Sequence, residues 1–268
     1  MSTSGFRTTR SRSTCAPEPR PSVTPERRPG GAGAGVSSHA MAPDAAHGTG
    51  PASPAGAIVT ASTRLAEVPS VPGIVLYQAD EPFAVWERTE TAAGRDGLPP
   101  PFWAFAWAGG QALARYLLDH PALVAGCRVL DVAAGSGLLA VVAARSGAAQ
   151  VTAVDVDELA IAAIAANAAA NGVEVTPVLA DLLAGPVPAA DVLLCGDAFY
   201  EKDLAGRMLA FLERARARGM RVLAGDPGRA FLPAGRLTPL ASYEIPVTRA
   251  LEGMTVKRAT VYEVPGSP

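Results

Sequence analysis

Val129-Leu130-Asp131-Val132-Ala133-Ala134-Gly135-Ser136-Gly137-Leu138-Leu139-Ala140 is an apolar run that ends in an acid, then a turn of small residues, then a helix-forming run. This order predicts a strand, a tight turn and a helix. Glycine permits a positive φ and lets a ligand approach the backbone closely. The first N–H groups of the helix that follows have no partner inside the helix. The turn is therefore expected to hold a small polar ligand.

Two families of nucleoside-binding proteins share this pattern. The stretch from Gly135 to Ala140 fits the G-x-G-x-x-G/A fingerprint of dinucleotide-binding proteins, which is a weak signal when it stands alone. The same region resembles the first motif of class I S-adenosylmethionine-dependent methyltransferases, acid-x-Gly-x-Gly-x-Gly. Asp131, Gly135 and Gly137 match that motif, whereas Ala133 occupies its first glycine position and is expected to keep a negative φ. A turn that merely joins strand to helix is the third interpretation.

Three further apolar runs each end in a polar group, at Asp155, at Asp181 and at Asp197. The carboxyl ends of parallel strands form the ligand-binding edge of an open α/β sheet, and an acid after the second strand accepts the ribose hydroxyls. We therefore predict that Asp155 binds a ribose. A dinucleotide and S-adenosylmethionine both contain a ribose, so this contact does not distinguish between them. The resemblance implies that Asp181 contacts the adenine amino group. The regular placement of these acids favours the methyltransferase interpretation.

The chain alternates strand and helix patterns from residue 127 onward. Strands are expected near 127–132, 150–155, 173–179, 191–196 and 220–224, with helices near 136–146, from Asp157 to Asn171, and over 201–218. Such alternation predicts a parallel sheet covered on both faces. Residues 237–247 and 254–264 are expected to form a closing antiparallel pair. The prediction is an α/β fold with a Rossmann-like doubly wound sheet, mostly parallel with a C-terminal antiparallel hairpin; its seven strands are what the resemblance implies.

Composition divides the chain into two parts. Residues 1–55 are rich in Ser, Thr, Pro, Gly, Ala and Arg and have few large apolar side chains, so we expect a disordered leader or an extension upstream of a true start at Met41. Residues 56–268 are expected to form one methyltransferase domain whose N-terminal lid segment spans 56–125.

Three features of the lid segment matter. Short strands are expected at 74–77 and 84–86, and Gly109-Gly110 should allow a close backbone approach. Within the aromatic stretch 102–107, Trp107 is predicted to contact the cofactor, with a role in packing the core as the alternative.

Charge and cysteine content exclude several classes of function. The formal net charge of −2 argues against a nucleic-acid partner. No run of 18 apolar residues and no secretory signal is present, so we expect a cytoplasmic protein with no membrane partner. Cys15, Cys127 and Cys195 lack the spacing of a metal site, and no metal is predicted.

A closer resemblance rests on three segments: Pro101 to Trp107, Gly196-Asp197-Ala198-Phe199-Tyr200-Glu201, and Gly225 to Pro233. Over about residues 58–264 the chain resembles the small seven-strand protein-lysine methyltransferases that carry an Asp-x-x-Tyr motif, nearest to the electron transfer flavoprotein beta-subunit lysine methyltransferase group and its bacterial relatives. The resemblance implies S-adenosylmethionine as cofactor and the flavoprotein beta subunit as protein substrate.

Chemistry suggests roles for two residues of that motif. Asp197 and Tyr200 are predicted to orient the acceptor amine through hydrogen bonds. The alternative is a structural role, in which they cap the helix that begins near Glu201. Methylation of a small amine, nicotinamide-like, stays open as a second function. An NAD-binding oxidoreductase and a catalytically silent interaction module are the remaining alternatives, although no hydride-transfer residues are recognisable and the acids at the strand ends are all present.

Overall fold

The structure, a computed structural model, describes residues 53–266. Nearly all of the predicted leader lies outside these residues, so its disorder stays a prediction. Helix α1 begins at Pro54 and runs to Ser62. The Ser53 hydroxyl caps it by accepting a hydrogen bond from the Gly56 N–H at 3.0 Å.

The next elements precede the main sheet. Strands β1 (Arg64–Val68) and β2 (Val71–Gln78) form a separate antiparallel pair, followed by helices α2 (Pro82–Ala93) and α3 (Ala108–Asp119). The expected strand at 74–77 is confirmed within β2, whereas the one at 84–86 is wrong because those residues lie in α2. Three apolar residues cannot distinguish a period of 2 from one of 3.6, and the buried residues Val85 and Thr89 stand one helical turn apart.

The main sheet confirms the predicted fold class. Its strands are β3 (Arg128–Val132), β4 (Gln150–Asp155), β5 (Thr176–Leu179), β6 (Val192–Gly196), β7 (Arg221–Asp226), β8 (Thr238–Pro246) and β9 (Val256–Glu263). They lie in the order β5-β4-β3-β6-β7-β9-β8. The first five pair in parallel, and β9 is antiparallel to both β7 and β8. Strand order reverses next to β3, which is where open α/β sheets bind ligands.

Three helices follow the predicted alternation: α4 (Leu138–Arg145), α5 (Glu158–Ala170) and α6 (Lys202–Ala217); a short fourth helix, α7 (Arg249–Glu252), lies in the connection between the last two strands and was not predicted. The predicted cap of α5 is confirmed, since the Asp157 carboxylate accepts the Leu159 N–H at 2.9 Å. Strand β5 begins later than expected because the Val173 N–H bonds back to the Ala168 carbonyl at 3.1 Å and completes the helix terminus around Gly172.

Residues that alternate along the strands contribute to two hydrophobic cores, one on each face of the sheet. Val129 and Leu194 pack with α3 and α4 on one face of the sheet. Leu130 and Leu193 pack with α6 on the other face. Burial on both faces explains why these strands read as continuous apolar runs.

Glycines bring α3 onto the ends of β6 and β7. A Cβ on Gly109 would overlap the carbonyl oxygen of Gly225, and a Cβ on Gly225 would overlap the Gly109 carbonyl in turn. A Cβ on Gly196 would lie 3.0 Å from the Cα of Gly110. The predicted close approach is therefore confirmed, and it delivers the first N–H groups of α3 to the carboxyl edge of the sheet.

Within residues 53–266, no helix is both long enough and apolar enough to cross a membrane. Cys127 and Cys195 are buried thiols that form no disulfide, as expected for core cysteines.

Candidate functional site

The loop between β3 and α4 contains three residues whose backbone is in the left-handed conformation. The φ angles are 54° at Ala133, 52° at Gly135 and 75° at Gly137. The expectation of a negative φ at residue 133 is therefore wrong: alanine occupies a conformation that suits glycine, at a cost of about 1–2 kcal/mol. Neighbouring bonds hold it there, since the Ala134 N–H donates to the Val154 carbonyl at 3.1 Å and the Gly137 N–H to the Ala134 carbonyl at 2.8 Å.

Asp155, at the end of β4, closes this loop. Its Oδ2 accepts the Gly135 N–H at 2.8 Å. Its Oδ1 accepts the N–H groups of Val156 and Asp157 at 2.8 and 3.1 Å. An ionised carboxylate has about four acceptor positions, so three are in use and one is left for a ligand. Asp155 thus lies where the predicted ribose contact requires it, beside the glycine loop.

Asp131 lies beneath the same loop and is only 1% exposed. Its Oδ2 accepts the Ala140 N–H at 3.1 Å. Its Oδ1 is buried and has no hydrogen-bond partner within residues 53–266. Burial raises the pKa of this carboxyl group to about 8. A donor placed beside Oδ1 would therefore relieve an unfavourable environment.

Asp197 lies at the end of β6, one strand from β3, and is 8% exposed. Its backbone is also in the left-handed conformation, with φ 54°. Its Oδ2 accepts the Gly110 N–H at 2.8 Å, and its Oδ1 accepts Nε and Nη2 of Arg229 at 3.1 and 2.7 Å. Burial raises the pKa of Asp197 to about 6, and the charge of Arg229 opposes that rise. The capping alternative is wrong for Asp197, because its bonds go elsewhere and the N-cap of α6 is Glu201.

Aromatic side chains connect the two parts of the site. The ring of Tyr200, which is 44% exposed, lies 5.3 Å from that of Phe102. Phe102 lies 5.8 Å from Trp107, whose Nε1 donates to the Phe102 carbonyl at 2.9 Å. A Cβ on Gly135 would approach the same carbonyl at 3.9 Å. The aromatic segment therefore extends from the glycine loop to Tyr200, while the predicted cofactor contact of Trp107 stays a prediction.

Asp181 stands apart from this group. It is exposed, follows β5 at the edge of the sheet, and forms an ion pair with Arg207. Its carboxylate also accepts the Leu183 N–H at 3.0 Å. Arg207 lowers the pKa of Asp181 below its usual value. Its predicted contact with adenine stays a prediction, and that contact would compete with Arg207.

Sequence reasoning missed the cations and the acid behind Asp197. Arg229 also bonds Glu252, with Nη2 to Oε1 at 2.8 Å, and Lys257 pairs with Glu252 in turn. A local signal for Arg229 exists in the turn after β7. Asp226 Oδ1 accepts the N–H groups of Gly228 and Arg229, each at 2.7 Å, and so aims the arginine along the sheet edge. Glu252 and Lys257 have no such local signal.

Asn167 is a second residue that sequence reasoning missed. It is fully buried in α5. Its Nδ2 donates to the Ser136 carbonyl of the glycine loop at 2.8 Å, and its Oδ1 accepts the Tyr77 N–H at 2.7 Å. One side chain therefore joins the loop to strand β2. A buried amide in an alanine-rich helix was the signal, since such groups are retained when they satisfy backbone partners.

Comparison with known proteins gives one family model and several curated relatives. The model described as "Ribosomal protein L11 methyltransferase (PrmA)" matches residues 112–196. Proteins named electron transfer flavoprotein beta subunit lysine methyltransferase are similar over more of the chain. The Mus musculus protein is 43% identical over 146 residues, which are 54% of this chain and 56% of the relative. The Rattus norvegicus protein is 41% identical over 167 residues, 60% of this chain and 64% of the relative.

The similarity to the Xenopus laevis protein of the same name covers more than two thirds of that relative. It is 38% identical over 168 residues, which are 60% of this chain and 68% of the relative. The chain spans 56%, 64% and 52% of the mouse, rat and Danio rerio relatives. The matched length, together with the sheet order and the glycine loop, places the chain within the class I S-adenosylmethionine-dependent methyltransferases. The chain belongs to the family of the electron transfer flavoprotein beta subunit lysine methyltransferases.

Proposed function

We propose that this protein is an N-methyltransferase that uses S-adenosylmethionine to methylate a lysine side chain of a protein, with the electron transfer flavoprotein beta subunit as substrate. One observation carries the proposal. Adjacent strands β4, β3 and β6 bring Asp155, the glycine loop and Asp197 side by side at one edge of the sheet. Such an edge suits a nucleoside cofactor on one side and a methyl acceptor on the other.

The residues of the glycine loop suit the cofactor. Asp155 has an acceptor position left for the ribose, and the unpartnered Oδ1 of Asp131 suits a donor such as the ammonium group of the methionine part. Gly135 and Gly137 keep side chains out of the turn. When bound, the cofactor supplies a methyl group that its sulfonium makes electrophilic. Ala133, Asp181 and Trp107 complete the proposed cofactor-binding set.

The acceptor side must present a neutral amine. A lysine side chain has a reference pKa of about 10.4, so it is mostly protonated near neutrality. The ammonium would first lose a proton to solvent. The nitrogen lone pair would then form the new N–C bond while the C–S bond breaks, and the sulfur would keep the bonding pair and leave as a neutral thioether. With a pKa of about 6, Asp197 is ionised at neutral pH and can accept a hydrogen bond from the amine. Tyr200, three residues further along the chain, is exposed, and its hydroxyl is proposed to orient the amine as well. Orienting the lone pair in this way lowers the barrier by fixing the reacting geometry.

The proposed location is the cytoplasm. Cys127 and Cys195 are buried in the thiol form, which suits a reducing compartment.

Transfer of a radiolabelled methyl group tests the proposal. Purified electron transfer flavoprotein, nicotinamide and free lysine are offered in parallel, and calorimetry measures binding of S-adenosylhomocysteine and of NAD. We expect label in a lysine of the flavoprotein beta subunit and binding of S-adenosylhomocysteine alone. Label in nicotinamide but in no protein would move the function to a small-amine methyltransferase, and binding of NAD instead would reject a methyltransferase.

A further inference from the structure

Asp197 is backed by a chain of buried and partly buried charges that come from the turn after β7, from α7 and from β9. Arg229 lies between Asp197 and Glu252, and Lys257 on β9 pairs with the far side of Glu252. The exposed fractions of the side chains are 8% for Asp197, 17% for Arg229 and 2% for Glu252. The proposed cofactor contacts involve none of Arg229, Glu252 and Lys257.

Such a cluster is poor at stabilising a fold. Removing charges from water costs several kcal/mol per ion, and apolar side chains of similar volume often do as well. Asp197, Arg229 and Glu252 are nevertheless each held by more than one bond. Arg229 uses Nη1 and Nη2 on the two Glu252 oxygens at 3.1 and 2.8 Å, in addition to its two bonds with Asp197. Its guanidinium also lies 5.4 Å from the centre of the Trp107 ring. The arrangement fixes Arg229 in one orientation.

Counting acceptor positions shows what this orientation does to Asp197. A carboxylate offers about four positions, two on each oxygen. Arg229 fills two on Oδ1, and the Gly110 N–H fills one on Oδ2. One position on Oδ2 is left. The carboxylate is therefore held at both oxygens and offers a single direction to an incoming amine.

We propose that Arg229 is a positioning residue for methyl transfer, held in place by Glu252, and that it orients Asp197 and keeps it ionised so that its remaining acceptor position receives the acceptor amine. This proposal rests on the function proposed above. Arg229 acts through Asp197 and does not touch the substrate.

The groups around Asp197 fix the sign of the expected pH effect. Arg229 and Asp226 face it from the end of β7, the Gly110 N–H from α3, and Cys195 from β6, with Glu252 and Lys257 beyond Arg229. Burial and Asp226 raise the pKa of Asp197, whereas Arg229 and the Gly110 N–H lower it. Loss of the Arg229 charge must therefore raise that pKa, so Asp197 becomes ionised only at higher pH.

The test compares pH profiles of methyl transfer to the flavoprotein by wild type, Arg229→Met and Arg229→Lys. Below the pKa of Asp197 both this carboxyl and the acceptor ammonium must lose a proton, so the logarithm of the rate rises with a slope of about two, and above it with a slope of about one. The wild type should change slope near pH 6, the pKa of Asp197. In Arg229→Met the change should move up by about 1–3 pH units, the usual effect of a neighbouring opposite charge. Arg229→Lys should lie between them.

The matched control is Arg236→Met. Arg236 lies in the same connection between β7 and β8 and pairs with Glu213 on the surface. It should keep both the wild-type profile and the wild-type affinity for S-adenosylhomocysteine. An unshifted change of slope in Arg229→Met, or in Arg229→Lys if the first variant does not fold, overturns the proposal. If the wild type transfers nothing to the flavoprotein, the proposed function fails and this assignment fails with it; transfer with an unshifted profile overturns the assignment alone.

Discussion

The two halves of the sheet edge are built in different ways. At the ends of β3 and β4, Asp155 is held by backbone N–H groups, and its partner Gly135 is 20 residues away in sequence. At the end of β6, Asp197 is held by Gly110, which is 87 residues away, and by Arg229, which is 32 residues away. The first half is a local βαβ device, whereas the second is assembled from α3, β6, β7 and α7.

This difference separates two physical tasks. A neutral ribose needs fixed acceptors, which a strand end and a loop supply by themselves. A protonated amine that must become neutral needs a carboxylate whose charge and direction are controlled, and control of charge in a buried site requires a counter-charge. Arg229 provides this counter-charge. Arg229 in turn needs an ion pair with Glu252, which also pairs with Lys257. We therefore expect substitutions in the two halves to affect different measurements.

The largest effect should come from the acceptor half. Asp197→Asn keeps the shape and tolerates the left-handed backbone, but it removes the negative charge. The rate of methyl transfer should fall about 10²–10⁴-fold, as is typical for a positioned acid–base group. Affinity for S-adenosylhomocysteine, measured by calorimetry, should not change.

Asp191→Asn is the control for that experiment. Asp191 lies just before the same strand, at its opposite end, and also pairs with an arginine, Arg128. It should leave the transfer rate intact. Equal rates for wild type and Asp197→Asn would remove Asp197 from the mechanism.

The cofactor half should show the reverse pattern. Asp155→Ala removes a charged acceptor from the ribose site, which costs about 1.5–3 kcal/mol, or roughly 10- to 140-fold in affinity. Calorimetry with S-adenosylhomocysteine measures this loss of affinity. Asp157→Ala, two residues further on, removes only the cap of α5 and should reduce the melting temperature while affinity stays at the wild-type value. Wild-type affinity in a folded Asp155→Ala protein would contradict the assignment.

A pair of neighbouring glycines tests how α3 completes the acceptor half. Gly109→Ala forces a Cβ against the Gly225 carbonyl, so α3 must shift, and we expect a loss of about 1–3 kcal/mol in the free energy of unfolding. Transfer should weaken as well, because the Gly110 N–H moves away from Asp197. Gly110→Ala is the control, since its Cβ would meet nothing within 4 Å. Urea denaturation that ranks the two variants equally would refute the close approach.

The smallest effect concerns the strained alanine in the cofactor half. Ala133→Gly relieves a left-handed φ of 54° and should raise the free energy of unfolding by less than about 1 kcal/mol, because glycine also loses more entropy on folding. Ala134→Gly, at a residue without positive φ, should lower it by about 0.4–1 kcal/mol. A change of the same sign in both variants, measured in urea, would show that strain at residue 133 is not the cause.

Local sequence patterns were sufficient to predict features that depend on one helix or strand and the element next to it in the chain. The strand ends, the glycine loop, the cap at Asp157 and the position of Asp155 all follow from runs of a few residues. Errors arose where the pattern was short or the backbone was constrained from outside. A three-residue apolar run became part of α2. Ala133 took a glycine-like conformation because the next residue, Ala134, is bonded through its N–H to Val154 and through its carbonyl to Gly137.

Short stretches of sequence predicted the class of fold and the acids at the strand ends that we propose for the cofactor, because hydrophobic periodicity and turn chemistry act over short distances. The way in which Asp197 is held, by contrast, depends on contacts that form only in the folded chain. Its partners Gly110 and Arg229, and Glu252 behind them, are brought together by glycine contacts between α3 and β7 and by the return of the chain through α7. No local pattern encodes such a meeting, since a buried charge is tolerated only where the folded chain places its counter-charge.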